Sequence, residues 1–444
     1  MTNVRKAACV VLCRRRLDGT REVLLVKRAI STPFLGNYHV FPGGTVDEND
    51  ISDVDTAVRE LREETGIVVA PETLKFLTHW KTPAFSVQQF EAAYFVAELD
   101  ANDQQRTTPC GQEIIEAVWL TPDEARHRHH AGTIFLSYPV LDTLAHLDDP
   151  TVPIGSSYPH SGGEVAGGVY CVPGKTDTLP PATHTNTYIL GGADLVIVDP
   201  ATPYEPDRTR LLDFIRHLQS QGATVREVWL THHHTDHIGA VEWLCSTLHV
   251  PLAAHPKTFE RLRLHVPETR MILDGDINIL RGPGGEMHWR ASHTPGHAPG
   301  HLCFIEDRIG LLLSGDNVLG LGSVLIAAPD GDMRLYLQSL KMMQAWGARM
   351  LFPAHGPPQG DPYALIERYI QHRMLREASI VAVLCAARQA LTPDDIVPQV
   401  YRDIPEALYP LAALNVRSHL DKLRYEGTVI EEASDLFRST ERAK

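Results

Sequence analysis

No stretch of this 444-residue chain is long and apolar enough to cross a bilayer. Its longest uninterrupted apolar runs, 7–13 and 380–387, fall well short of the roughly 18 residues a spanning helix needs. Run 7–13 is followed by Arg14-Arg15-Arg16 where a signal sequence would place small residues, so it does not read as a signal core. Cysteine is scarce: seven, an odd number and widely scattered, make no disulfide framework and point to a reducing, cytoplasmic setting. Basic residues are outnumbered, 41 Lys and Arg against 55 Asp and Glu, and the net charge of −14 lacks the cationic footprint of a nucleic-acid binder. Only the stretch from Glu367 onward, with eleven basic and twelve acidic residues, comes close to neutral. With 43% hydrophobic and 22% charged residues, wholesale disorder is excluded as well. What the chain has in quantity is histidine, 23 of them, several bunched together.

The length suggests about three domains. Composition shifts to Pro, Gly and Ser without apolar period over 148–168, which reads as a linker. A second break falls at 353–363, beyond which the pattern is helical. The expected organisation is therefore 1–147, a linker 148–168, 169–361 and 362–444, with no internal repeat. The tract His127-Arg128-His129-His130 reads as a solvated helix end rather than a metal site, because nothing with ligand spacing surrounds it. The middle segment alternates strand-like runs (185–192, 193–200, 226–231, 301–315) with helical ones (205–221, 335–346), a multidomain α/β pattern.

The strongest signal is "LTHHHTDHIGA", which sets His232, His234, Asp236 and His237 in the few residues after a strand. Ligands can converge in loops that leave strand ends, and imidazole and carboxylate are natural zinc donors. Three further candidates follow apolar strands or turns: His297 in "HTPGHAPGH", Asp316 in "LLSGDN" and His355 in "FPAHGP". This series resembles the metallo-β-lactamase superfamily. The resemblance implies that His232, His234 and His297 hold one metal, that Asp236, His237 and His355 hold a second, and that Asp316 bridges them. It further implies that Asp199, ending "LVIVD", steadies a ligand histidine; His293 and His301, which flank His297, read as supporting or structural residues rather than ligands. Two zinc ions would activate a water and polarise the electrophile, with Asp236 orienting the water.

The second signal is "FPGGTVDENDISDVDTAVRELREETGIVV". Val54, Ala57, Val58 and Leu61 fall on one apolar helix face, and Glu60, Glu63 and Glu64 form a stripe roughly 110° around from it. Gly66 ends the helix. Three carboxylates so close read either as a divalent-cation site with oxygen ligands or, since Arg59 and Arg62 are interleaved, as a solvated Glu-Arg face. With the Gly43-Gly44 turn before it, the stretch resembles a Nudix box. The resemblance implies Mg²⁺ or Mn²⁺ at Glu60, Glu63 and Glu64, with Glu63 and Glu64 catalytic, and cleavage of a diphosphate linked to another moiety. Two departures stand out: Asp50 replaces the box glutamate, and the stretch from it to Arg59 is one residue longer than the family's. Glu113 or Glu116 is a candidate auxiliary base.

The tail reads as three helices and a short strand "TVIEE". Thr392 opens the second helix; Ala413, Val416, Leu420 and Leu423 form the apolar face of the third. This is a winged-helix plan, similar to the C-terminal domain of the beta-lactamase-like-protein-2 subgroup of the same superfamily. The fold expected is thus a Nudix α/β/α sandwich, a metallo-β-lactamase αββα sandwich and a winged helix. The function expected is a metal-dependent hydrolase of a small-molecule ester, thioester or nucleoside-diphosphate-type substrate, with no membrane partner and scope for a homo-oligomer. The alternative is an endoribonuclease, acting on RNA, with a non-catalytic ligand-sensing Nudix domain.

Overall fold

Alternation along the first strand builds the first layer structure. The computed structural model describes residues 4–82, 88–100, 105–152, 154 and 162–440. In the strand Arg5–Arg15, Ala8, Val10 and Leu12 face one way, and Val11 and Cys13 the other. The first set packs against Ala57 and Leu61 of the helix Asp53–Thr65; the second packs against Ala125, Val140 and Leu144 from the helices Pro122–His130 and Tyr138–Asp148. Arg5–Arg15 is central, antiparallel to Arg21–Arg28 and parallel to Phe90–Glu98. The result is the expected α/β/α sandwich. Ser52 caps the helix Asp53–Thr65 by accepting from the Asp55 N–H, and Gly66, at φ 75°, closes it.

The middle domain is two sheets face to face. One runs Thr269–Met271, Leu252–Ala254, Thr224–Trp229, Asp194–Val198, His184–Gly191, Val169–Lys175, Gly163–Ala166; the other runs Ile277–Gly282, Gly285–His293, Leu302–Glu306, Leu311–Gly315, Met350–Pro353. Their facing side chains form one core, in which Trp229 stacks on Phe304 at 4.9 Å between centroids. Helices Glu205–Ser220 and Val241–Leu248 cover the outer face of the first sheet, and Met333–Ala345 covers that of the second. Central strands buried on both faces explain the unbroken apolar runs "LVIV" and "LLL".

The tail builds a third core from Ile380, Leu384, Ile396, Val397, Val416, Leu420 and Phe437. Thr392 and Asp395 make a reciprocal cap on the helix Pro393–Val400. The helix Tyr409–Tyr425 leads into a hairpin of Val429–Ala433 and Leu436–Ser439, whose second strand the sequence reading missed.

Three expectations need correction. The stretch 148–168, of which 153 and 155–161 lie outside the described residues, is not all linker. Gly163–Ala166 is the edge strand of the first sheet, with Ala166 in the core. The break at 361/362 cuts across a core: Leu365 and Ile366 of the long helix Pro362–Ala386 pack in the middle domain, while Ile380 and Leu384 pack in the tail. The 127–130 tract is only partly solvated. His129 is buried where the first two domains meet, its Nδ1 accepting from the Leu136 N–H and its Nε2 3.9 Å from Glu164. That docking is extensive: Tyr38 and Phe135 enter the middle-domain core, Tyr38 Oη donates to the Val165 carbonyl at 2.8 Å, and Asn37 donates to that of Arg349 at 3.1 Å. Among the described residues, no helix is long and apolar enough to cross a membrane.

Candidate active site

Each histidine or aspartate singled out in the middle domain sits just beyond a strand. His232 and His234 follow Thr224–Trp229, and His237 lies in the short helix Thr235–Ile238. His297 occupies the turn after Gly285–His293, Asp316 follows Leu311–Gly315, and His355 follows Met350–Pro353. The turn carrying His297 lies flat on the helix Met333–Ala345. A Cβ at Gly296 would stand 2.2 Å from the Tyr336 Cα, so only glycine fits there.

The structure gathers these residues into two groups, His232–His234–His297 and Asp236–His237–Asp316–His355, with the ligand atoms of each within 4.8 Å of one another. In the first, His232 Nε2 lies 3.0 Å from His234 Nδ1 and 3.3 Å from His297 Nε2. In the second, Asp316 Oδ1 is 3.3 Å from both His237 Nε2 and His355 Nε2, and Asp236 Oδ2 is 3.5 Å from His355 Nε2. The other oxygen of Asp316 turns to the first group, 3.7 Å from His297 Nε2. Asp316 therefore faces both groups, as a bridging ligand must.

The outward ring nitrogens are held by the protein. His237 Nδ1 meets Asp199 Oδ2 at 2.9 Å, His297 Nδ1 meets the Leu325 carbonyl at 3.0 Å, and His355 Nδ1 meets the His184 carbonyl at 2.9 Å. A carbonyl only accepts, so His297 and His355 each keep a proton on Nδ1, which leaves Nε2 as the nitrogen turned inward. On a neutral His297 that nitrogen is a bare lone pair 3.3 Å from His232 Nε2, a contact that needs a proton or a cation between the two. His237 Nε2 and Asp316 Oδ1 are likewise buried without a hydrogen-bond partner. The donor set thus fits a pair of divalent cations.

Electrostatics divide the groups. Burial holds His232, His234 and His297 below the usual imidazole range, His234 down to about 3. For His355 burial acts in the same direction, but Asp316 and Asp236 outweigh it and lift the ring to about 10. Asp199 also accepts from the Thr231 N–H at 2.7 Å and hydroxyl at 2.6 Å, so one carboxylate fixes both the strand end and His237. His301, outside both groups, is buried and receives the Asp316 N–H at 3.2 Å; His293 stacks on His255 at 4.1 Å.

The sequence reading missed Asp330, which lies 3.0 Å from His233 Nε2 and 3.7 Å from His234 Nε2, and is tied to Arg261 Nε at 2.9 Å. It also missed the carbonyls of Leu325 and His184. Asp330 sits in an ordinary Pro-Asp-Gly turn, and a backbone acceptor leaves no mark on the sequence.

In the first domain the three glutamates do not gather as expected. Among the described residues they form no group with ligand atoms within 4.8 Å. Arg59 is the reason: it bonds Glu60 at 2.9 Å and Glu63 at 3.0 Å, and holds Glu63 at the exposed rim. It also pairs with Asp50 at 2.8 Å, so the shortened acidic residue still reaches its arginine across the one-residue insertion. Glu64 is buried and accepts from the Gly43 N–H at 2.9 Å. A Cβ at Gly43 would stand 2.4 Å from the Ala8 carbonyl oxygen of the neighbouring strand, so glycine is required there before the helix. Burial, with help from Glu60 and Glu113, lifts Glu64 to about 8. Glu113 thus feels the glutamates, whereas Glu116 points to His39, 3.8 Å away.

Known proteins match this arrangement along nearly the whole chain. Residues 3–138 match the NUDIX domain, 180–355 the metallo-beta-lactamase superfamily, and 392–438 the beta-lactamase associated winged helix domain. A beta-lactamase-like protein 2 homolog from Drosophila melanogaster is 32% identical over 254 residues, 55% of this chain and 83% of that protein. An atrochrysone carboxyl ACP thioesterase from Aspergillus terreus is 32% identical over 203 residues, 45% of this chain and 58% of its own length. A beta-lactamase domain protein from Burkholderia ambifaria shares the fold at TM-score 0.55 and 24% identity, over 65% of this chain and 96% of that one. The chain belongs to the metallo-beta-lactamase superfamily, as a metal-dependent hydrolase with a Nudix domain before the metallo-β-lactamase fold and a winged helix after it.

Proposed function

We propose that the middle domain hydrolyses a small-molecule ester or thioester at a two-zinc centre. His232, His234 and His297 would hold one ion, Asp236, His237 and His355 the other, with Asp316 shared. The observation that carries this reading is the seven inward donors, more than one tetrahedral ion takes, with the outward nitrogens of His237, His297 and His355 already held by the protein. Such ions supply an activated water and a polarised carbonyl. Asp236 is the partly exposed member of its group, placed to accept a hydrogen bond from the attacking water and orient it. His234, half-exposed in the other group, marks the side from which the substrate arrives.

The thioester preference draws on the relative named as a thioesterase and on the chain's net charge of −14, which serves a long polyanion poorly. The tail supports it as well, because its helix Tyr409–Tyr425 packs towards the middle domain, with Asn415 bonded to Ile326. The test is a panel of acyl thioesters, esters, phosphodiesters and single-stranded RNA. Turnover of a thioester, lost in His232→Ala, supports the reading; salt-sensitive RNA cleavage lost in the same variant overturns it.

For the first domain we infer a Mg²⁺- or Mn²⁺-dependent cleavage of a nucleoside-diphosphate-type substrate, using Glu60, Glu63 and Glu64. The raised, buried Glu64 beside Glu60 is the charge problem a divalent cation relieves. Glu63→Gln with Glu64→Gln should abolish diphosphate cleavage and leave thioester turnover intact. No monophosphate release by the wild type from a broad panel would make this a ligand-sensing domain.

A further inference from the structure

The histidine best placed to respond to the tail is His297. On its outward side the ring is held through Nδ1, bonded to the Leu325 carbonyl at 3.0 Å. Residue 325 lies in a segment without regular secondary structure between Asp316 and the helix Met333–Ala345. Both flanking residues, Val324 and Ile326, bury their side chains in the middle-domain core. Their backbones, however, are tied to elements that lead into the tail. The Ile326 N–H donates to Asn415 Oδ1 at 3.0 Å, from the helix Tyr409–Tyr425. The Val324 carbonyl accepts from Arg373 Nη2, on the long helix Pro362–Ala386. The two ties are themselves joined, Arg373 Nη1 to Asn415 Oδ1 at 3.4 Å.

Arg373 is 1% exposed, an unusual place for a guanidinium unless each bond it makes is needed. It also lies over the Tyr336 ring at 5.5 Å, and Tyr336 Oη donates to the carbonyl of Asn317, the neighbour of Asp316, at 2.8 Å. One buried cation therefore touches the chain beside His297's anchor and, through Tyr336, reaches the chain beside the bridging aspartate.

We propose that Arg373 and Asn415 are positioning residues of the metal centre: through Val324 and Ile326 they fix the Leu325 carbonyl, and with it the ring of His297. On this account the winged-helix tail is part of the hydrolase site rather than a separate binding module. The proposal rests on the reading of His232–His234–His297 as a cation site. The bond it invokes, from a ligand imidazole to a backbone carbonyl, fixes the ring and raises its basicity, and losing such a partner typically weakens metal binding by about 10–100-fold.

The test is zinc binding by the full-length chain, measured by competition with a chromophoric chelator, alongside thermal unfolding of the metal-free protein. Asn415→Leu removes the acceptor; Asn415→Asp keeps one for both Ile326 and Arg373. His297→Ala reports which equivalent depends on that histidine. The expected result is that Asn415→Leu weakens the His297-dependent equivalent about tenfold or more, leaves the other within about twofold, and is rescued by Asn415→Asp. If Asn415→Leu does not fold, Asn415→Ala carries the same test, since it also removes the acceptor. Wild-type affinities in these variants, with one equivalent lost in His297→Ala, overturn the proposal. So does parallel weakening of both equivalents in step with a lower unfolding temperature. An unchanged stoichiometry in His297→Ala instead overturns the assignment of His297 as a ligand.

Discussion

Replacing Glu64 by Gln is expected to stabilise the cation-free protein near neutral pH and to change little at pH 4.5. Burial first, then Glu60 and Glu113, lifts the Glu64 carboxyl from 4.5 to about 8, against the pull of the Gly43 N–H. A carboxyl with its folded value above its unfolded one keeps a proton in the fold that the unfolded chain has released. Its contribution is therefore full below about pH 4.5 and is lost as pH rises towards about 8. At pH 7 the span from 4.5 corresponds to about 3 kcal/mol. Gln keeps an acceptor for Gly43 and has no proton to lose. For a domain of this size the difference is roughly 6–12 °C in unfolding temperature. The assay is calorimetry in EDTA at pH 4.5 and pH 7, following the transition that Mg²⁺ shifts. Mg²⁺ should raise that transition in the wild type more at pH 8 than at pH 5, and less in the variant. A Gln variant no more stable than wild type at pH 7, or a gap of equal size at both pH values, refutes the reasoning.

Asp199→Ala should weaken zinc binding about 10–100-fold in chelator competition, because it frees both His237 Nδ1 and the Thr231 backbone. His355, lifted to about 10 without metal, should release its proton on zinc uptake at pH 7. Affinity should then rise with pH up to about 10, read as proton release in an unbuffered titration. Tyr38→Phe should cost about 1 kcal/mol by removing the bond to Val165 across the domain junction, measured by urea unfolding.

What the sequence made legible shares a physical property. His232, His234, Asp236 and His237 declare themselves because their spacing places four donors in one loop, and His297, Asp316 and His355 because each follows an apolar strand. The helix Asp53–Thr65 was equally plain from its apolar period and its Gly66 stop. The rest depended on contacts made at a distance. Arg59 draws Glu60 and Glu63 into ion pairs instead of leaving a bare acidic stripe; the i,i+4 spacing to Glu63 allows that pair, but the hold of Asp50 on the same guanidinium comes from the loop before the helix. His129 looked solvated because its burial comes from Glu164 and the neighbouring domain. Gly163–Ala166 looked like linker because its sheet partner, not its composition, makes it a strand. Leu325 and His184 act through carbonyls that every residue possesses.

The most direct test is thioester turnover as zinc is added back to the metal-free chain, compared between the wild type and Asp316→Ser. Two ions sharing Asp316 predict activity that saturates at about two equivalents per chain in the wild type and stays near background in the variant. Saturation at one equivalent, or equal turnover by Asp316→Ser, contradicts the two-ion account.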